Sequence, residues 1–504
     1  MASVQRPVAV SARLLRLDNP IHSLTVAFWL WKAVLIVVIA ACPGLGYDTS
    51  TSLISAEPGA PTDIVGSLSV PLKFARWDSI YFLHTAETGY VFEQEWAFGY
   101  GYSKILALFI SGVERSGGVG GPANIALAGV VLSHVAHYVS VLAVYGLTAN
   151  VFGCTTISQK LICFLSAALH IICPAGAFLS APNPESTFSF LNITGFYLYS
   201  CSLIAGYNGK TLSRDFLLLT SAALFAVATT VRSNGILSGF LFAYDAAVLV
   251  WRTFSQGLSL HNTIRLGIVV LGGCIVALGT IFPQFLAWRV YCASATDPRP
   301  WCESTVPSIS AWVQDHYWNV GFLRYWTVSN LPLFLLAAPL IALLCRSSVW
   351  AMSASEHAHS PDHPGSMLVR LSIPQGLLAV LALTSYHVQI INRISSGYPL
   401  WYWYLVSGAV DSLSSPKAYH RVLTTAVQGM VGCARSNLSF FPARPEPAAK
   451  SSLLSALTPI LSDSVQLYFA VVPPDLTTAP APRERGCTRS GINNLRALHE
   501  LGPF

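Results

Sequence analysis

Ile-His-Ser-Leu-Thr-Val-Ala-Phe-Trp-Leu-Trp-Lys-Ala-Val-Leu-Ile-Val-Val-Ile-Ala-Ala-Cys, residues 21 to 42, decides the class of this chain. Coiled as a helix, roughly 17 to 25 mostly apolar residues suffice to cross the hydrocarbon of a bilayer. No small-residue cleavage pattern leading into a soluble domain follows, so the run reads as a retained anchor. Working outward, comparable runs lie at 123–148, 161–180, 187–207, 215–231, 235–251, 265–291, 331–350, 371–391 and 399–412. Over all 504 residues, 53% are hydrophobic and 10% charged, against roughly 25% charged in soluble domains. The expectation is an all-α polytopic membrane protein of about ten transmembrane helices over residues 1–412, and a multi-domain soluble reading fits poorly.

The formal net charge of +6 is spread singly between apolar runs, which argues against nucleic acid as a partner. The eleven cysteines show no metal-ligand spacing, and no nucleotide-binding loop of either common glycine-rich type is present, so neither a metal nor a cofactor is expected. Cys292 and Cys302 flank a polar loop, where a disulfide and two free thiols are both open readings. From residue 413 onward Pro-rich stretches replace the apolar runs, and the segment 413–504 reads as a poorly ordered tail.

Arg6, Arg13 and Arg16 precede the first span and Asp48, Glu57 and Asp63 follow it, which places the N-terminus in the cytosol. Residues 43–120 then form a luminal first loop, provided the short apolar stretch 103–113 lies flat on the membrane face. With that arrangement Lys210, Arg214, Arg252, Arg265, Arg346 and Arg370 face the cytosol, and a second luminal loop spans 292–330. Asp78, Glu185, Arg232, Asp315 and Arg393 all fall on or near the luminal side.

Within the first loop, residues 77 to 88 carry apolar positions at helical spacing and end at Gly89, which predicts a short interfacial helix. Asp78 would sit in its first turn, either capping the helix or accepting a proton. Three further acids, Glu87, Glu93 and Glu95, and dense aromatics surround it. Sugar transfer from a lipid phosphate needs few parts: a carboxylate to deprotonate the attacking hydroxyl, and cations to stabilise the departing phosphate.

Several blocks together resemble the GPI mannosyltransferase 2 family. They are Trp77-Asp78 with Phe82-Leu83 and Ala86-Glu87-x-Gly89-Tyr90; Glu93 through Ala97-Phe98; and Val231-Arg232-Ser233-Asn234-Gly235. Beyond these stand Pro300-Trp301-Cys302, the run from Gln314-Asp315-His316 to Arg324-Tyr325, Leu335 through Pro339, and Tyr386-His387-Val388-Gln389 leading to Arg393. The resemblance implies a GT-C-type glycosyltransferase whose luminal first loop holds the catalytic acid. It implies dolichyl-phosphate mannose as donor, a GPI-precursor glycolipid carrying one mannose as acceptor, an α-1,6 product formed with inversion, and residence in the endoplasmic reticulum membrane. It also admits a small accessory membrane subunit as partner.

On this reading Asp78 is the general base. Glu185 would orient a sugar hydroxyl, against the alternative of a solvated turn carboxylate. Arg232 would bind the donor phosphate, against a snorkelling interface arginine. Arg324 and Arg393 are further phosphate contacts; Asp315 and Asn319, one helical turn apart, and Glu93 complete the substrate contacts. His134 and His137 read as buried imidazoles paired to neighbouring helices, and the Asn192 sequon lies in a span where no glycan is expected. The competing functions are another luminal lipid-linked mannosyltransferase, a polytopic lipid transporter or flippase, and a non-catalytic assembly subunit. A transporter would show duplicated halves, and no repeat of fixed period is visible.

Overall fold

The computed structural model describes residues 17–41, 69–118, 120–293, 298–355 and 363–411. The tail expected from 413, and the part of the first loop holding Asp48, Glu57 and Asp63, lie outside the described residues. Every regular element among the described residues is helical. In chain order the helices of ten residues or more are α1 (Pro20–Ala41), α2 (Ser79–Thr88), α3 (Tyr100–Arg115), α4 (Pro122–Phe152), α5 (Ile157–Ile171), α6 (Glu185–Tyr207) and α7 (Thr211–Val231). They continue with α8 (Gly239–Gln256), α9 (Leu260–Trp288), α10 (Ile309–Trp318), α11 (Leu331–Ser355), α12 (Met367–Thr384) and α13 (Leu400–Asp411).

Eight of them, α1, α4, α6, α7, α8, α9, α11 and α12, are long and apolar enough to cross a membrane. The other two expected spans form shorter helices. The run at 161–180 breaks at Ile171, because Pro174 disfavours helix in the residue before it and Gly176 adopts φ 52. The run at 399–412 gives α13, 12 residues long, with Trp401, Tyr402 and Trp403 fully buried. The stretch at 103–113 belongs to α3, whose 16 residues rise about 24 Å, short of a full crossing.

α6 is the hub, packed between α4 and α7, and α7 packs in turn on α9. Small residues set these close crossings, as is usual where lipid removes the hydrophobic drive between helices. A Cβ at Gly279 of α9 would come 2.3 Å from the Ala226 carbonyl oxygen of α7. Outward faces carry large apolar side chains, among them Phe216, Trp251 and Leu278.

The interior is not uniformly apolar. Asp245 of α8 accepts hydrogen bonds from Arg370 Nε (2.9 Å) and from the Tyr199 hydroxyl (2.5 Å), all three being buried. His137 Nε2 meets the His170 carbonyl of α5 at 3.2 Å, whereas His134 Nδ1 turns back to Val130 on its own helix at 2.7 Å. Asn192 of the sequon is fully buried, donating to the Gly397 carbonyl at 2.9 Å.

The connections 69–99, 172–184, 232–238 and 385–399 gather at one end of the bundle. Gly99 shows how tightly: a Cβ there would lie 1.8 Å from the carbonyl oxygen of Val231 at the end of α7.

Candidate active site

At that end the chain turns into α2 through Trp77, which adopts φ 55, a backbone region costly for a bulky side chain. Asp78 follows at the N-cap position with φ −58 and ψ −22, yet its side chain makes no capping hydrogen bond. Its carboxylate turns instead to the Arg393 guanidinium, with Nη1 and Oδ2 2.8 Å apart and the Asp78 side chain 31% exposed. The capping alternative is thereby set aside. The helix ends at Gly89 with φ 82, as the sequence predicts.

Glu185 opens α6 and is fully buried, not a solvated turn carboxylate. Its Oε1 accepts from Arg232 Nη1 at 2.9 Å and from Arg393 Nε at 2.7 Å. Among the described residues Oε2 has no hydrogen-bond partner, and Arg393 Nη2, 2.5 Å from Oε1, is off the line of a hydrogen bond. Arg393 thus bridges two acids 107 positions apart in the sequence (185 − 78), and the four side chains balance in formal charge. The Phe178 ring stacks 4.1 Å from the Arg393 guanidinium. Ser79 donates to Asn183 Oδ1 at 3.0 Å, tying α2 to the turn before α6.

Burial pulls the Arg393 pKa down, but Glu185 and Asp78 outweigh it and the net direction is up. For Arg232 burial wins over Glu185, and the direction is down. His387 is lowered by burial, opposed by Asp78, and Tyr81 is raised by burial, then by Asp78 and Glu95. Tyr81 lies one turn on from Asp78, its backbone N–H donating to the Asp78 carbonyl at 3.1 Å. Aromatic rings run on from there, with Tyr81 stacked on Phe98 at 4.3 Å, Phe98 edge-on to Trp318 at 5.6 Å, and His387 edge-on to Tyr325 at 5.0 Å.

Of the sequence-derived candidates, Asp78, Glu185, Arg232 and Arg393 come together. Asp315 and Arg324 pair with each other at an exposed position, and Asn319 leaves the helical face it was expected to share by ending α10 in the left-handed conformation, φ 51. Glu93 is buried with both oxygens engaged: Trp301 Nε1 donates to one at 2.8 Å and the Tyr317 hydroxyl to the other at 3.1 Å. It locks the first loop to the segment that a Cys292–Cys302 disulfide staples to the end of α9. Sequence reasoning missed Phe178 and Asn183 altogether, since an aromatic and an amide in a Pro-rich turn carry no distinctive spacing. Among the described residues no cluster of three or more metal-ligating side chains is present.

A family model described as Mannosyltransferase (PIG-V) matches residues 24–359. A protein named GPI mannosyltransferase 2 from Aspergillus oryzae is 55% identical over 427 residues, covering 83% of this chain and 94% of that protein. Its namesake from Aspergillus fumigatus is 49% identical over 444 residues, 85% of this chain and 94% of that protein. Among solved structures, the Archaeoglobus fulgidus oligosaccharyltransferase AglB overlaps with a TM-score of 0.42 at 10% identity, over 91% of this chain and 61% of that one.

Proposed function

Because the chain belongs to the PIG-V mannosyltransferase family, we propose that it moves mannose from dolichyl-phosphate mannose to a GPI precursor bearing one mannose. The product is an α-1,6 bond, made with inversion at the luminal face of the endoplasmic reticulum membrane. That the chain is a glycosyltransferase of GPI-anchor assembly and a multi-pass membrane protein follows from family and helix composition together. The donor, the linkage, the stereochemistry and the compartment are the finer proposal.

The observation that carries it is the bridge from Asp78 through Arg393 to Glu185 and Arg232 at one end of the bundle. In a single displacement the acceptor hydroxyl oxygen bonds to the anomeric carbon as the bond from that carbon to the phosphate oxygen breaks. The hydroxyl proton passes to Asp78, and the electron pair of the broken bond leaves on the dolichyl phosphate. Asp78 is partly open and spends no capping bond, so its carboxylate can face the hydroxyl. Two guanidiniums within reach of one another offer the planar donor forks that suit a phosphate. Glu185, enclosed at the centre of the cluster, would act by positioning both guanidiniums. Asp315, Asn319, Arg324 and Glu93, outside this cluster, would support substrate by shaping the neighbouring segments. The Cys292–Cys302 disulfide supports an oxidising compartment on that side.

The test is complementation of cells lacking the second GPI mannosyltransferase, with the accumulated glycolipid identified. Wild type should restore the dimannosylated intermediate, and Asp78→Asn should lose about 100-fold or more in transfer at equal protein level. Substantial transfer by Asp78→Asn would remove the base assignment; accumulation of a different intermediate in rescued cells would remove the acceptor assignment.

A further inference from the structure

Glu185 is delivered to the cluster by residues 172–184, a connection whose only regular piece is the single turn Gly176–Leu179. Such a segment, interrupted by Pro174, Pro182 and Pro184, cannot hold its own shape through a backbone ladder. Its backbone makes local turn bonds, such as Ser180 N–H to the Ala177 carbonyl at 2.9 Å, and side chains from other helices fasten it to the bundle. Ser133 of α4 donates to the Ala181 carbonyl at 2.6 Å, and Ser79 reaches Asn183 at 3.0 Å. From α1, Lys32 Nζ donates to Ser180 Oγ at 2.8 Å and to the Leu179 carbonyl at 2.7 Å, a carbonyl that also accepts from Ser186 Oγ at 3.0 Å.

Lys32 is the anomaly among these. It is fully buried in the middle of an apolar membrane-crossing helix, and among the described residues no carboxylate lies within ion-pair distance of it. The Phe28 ring lies 5.3 Å from Nζ. An amine in that setting is costly unless its N–H groups are used, and here they are used on the connection that leads into Glu185.

We infer that Lys32 is a positioning residue for sugar transfer. By fixing the Leu179–Ser180 corner it sets Phe178, one residue before the corner, against the Arg393 guanidinium, and it sets the entry of α6 so that Glu185 meets both guanidiniums. Lys32 touches neither substrate nor the reacting atoms; it acts on the rate through the placement of Arg393 and Glu185. The inference rests on the proposed role of that cluster.

Full-length wild type, Lys32→Met, Lys32→Gln, Phe178→Ala and the Lys32→Met/Phe178→Ala double variant are compared in microsomes from the deficient cells, with Asp78→Asn alongside. Labelled dolichyl-phosphate mannose is the donor. Transfer kcat, donor KM and thermal unfolding after detergent extraction are read for each. Lys32→Met should lower kcat at least tenfold while donor KM moves less than threefold and the unfolding temperature stays near wild type. Lys32→Gln, which still donates N–H bonds, should recover part of that loss. The double variant should be no slower than the slower single, because both act through Arg393. A Lys32→Met kcat within threefold of wild type overturns the inference, as does strict additivity with Phe178→Ala or a loss matched by a fall in folded protein. Should Lys32→Met not accumulate, Ser180→Ala takes its place: a kcat at least threefold down with KM unchanged supports the inference, and an unchanged kcat overturns it. Transfer by Asp78→Asn together with a slow Lys32→Met strikes the base assignment alone, whereas a dead Asp78→Asn beside a fast Lys32→Met strikes the positioning role alone.

Discussion

Arg393 has two jobs that a lysine could not combine, since a single ammonium point cannot span Asp78 and Glu185 while keeping the planar fork. Arg393→Lys is therefore expected to cut kcat at least tenfold while the protein still accumulates, as measured by mannose transfer in microsomes. Arg393→Ala leaves a buried Glu185 with less cationic compensation and should destabilise by about 3 to 5 kcal/mol, seen as a fall in unfolding temperature in detergent. His387 gives a pH signature. Burial lowers its folded-state pKa, so the unfolded chain binds the proton more readily than the folded one. Its contribution to stability is present above the unfolded pKa of about 6.5 and is lost as pH falls below it. Wild type should accordingly lose more thermal stability between pH 7 and pH 5 than His387→Gln, measured by thermal unfolding at each pH. The members of the cluster were legible one by one: Asp78, Arg232 and Arg393 each stood in or beside a motif block, and Glu185 at a turn near the same membrane face. The partners were not, because a salt bridge between positions 185 and 393 leaves no local trace, and nothing in the spelling of Glu93 tells that Trp301 and Tyr317 saturate it.

At the scale of elements, the apolar runs foretold the long helices well and the short ones poorly. Hydropathy carried the reading of 161–180 across Cys173-Pro174-Ala175-Gly176, but backbone geometry stopped the helix at Ile171. That break is useful, since it frees the connection on which Phe178, Asn183 and the approach to Glu185 are built. The joint between α3 and α7 makes the same point from the packing side. At Gly99 even a methyl would overlap a backbone carbonyl, which cannot swing away as a side chain can. Gly99→Ala should destabilise by about 1 to 3 kcal/mol through overpacking and lower transfer, read by detergent thermal unfolding and by the microsomal assay. A structural role of a different kind falls to the Asp245–Arg370 pair joining α8 to α12. Asp245→Ala strands a buried guanidinium and should reduce the amount of folded protein, as followed by steady-state level and unfolding temperature.

For the whole molecule, composition alone fixed an all-helical membrane chain, and the alternation of basic and acidic loops arranged its polar blocks toward one end. The structure adds an inequality within that end. One cluster, from Asp78 to Arg393, is charge-balanced and built around the buried Glu185, with Asp78 partly open, while the Asp315–Arg324 pair stands exposed on the segment beyond the disulfide. Hydropathy and charge counting could not separate the two, because both consist of acids and arginines flanked by aromatics at the ends of helices. Enclosure separates them, and enclosure is a property of how distant helices meet.

The ion pair between Glu185 and Arg393 joins residues 208 positions apart. During synthesis the ribosome must therefore extend the chain through α7 to α12 before the acid that opens α6 can meet its second cation. Until then Glu185 has Arg232 alone as its cation, and the four-residue cluster is incomplete. The pairing is therefore among the last to form, since it waits for the connection that follows α12.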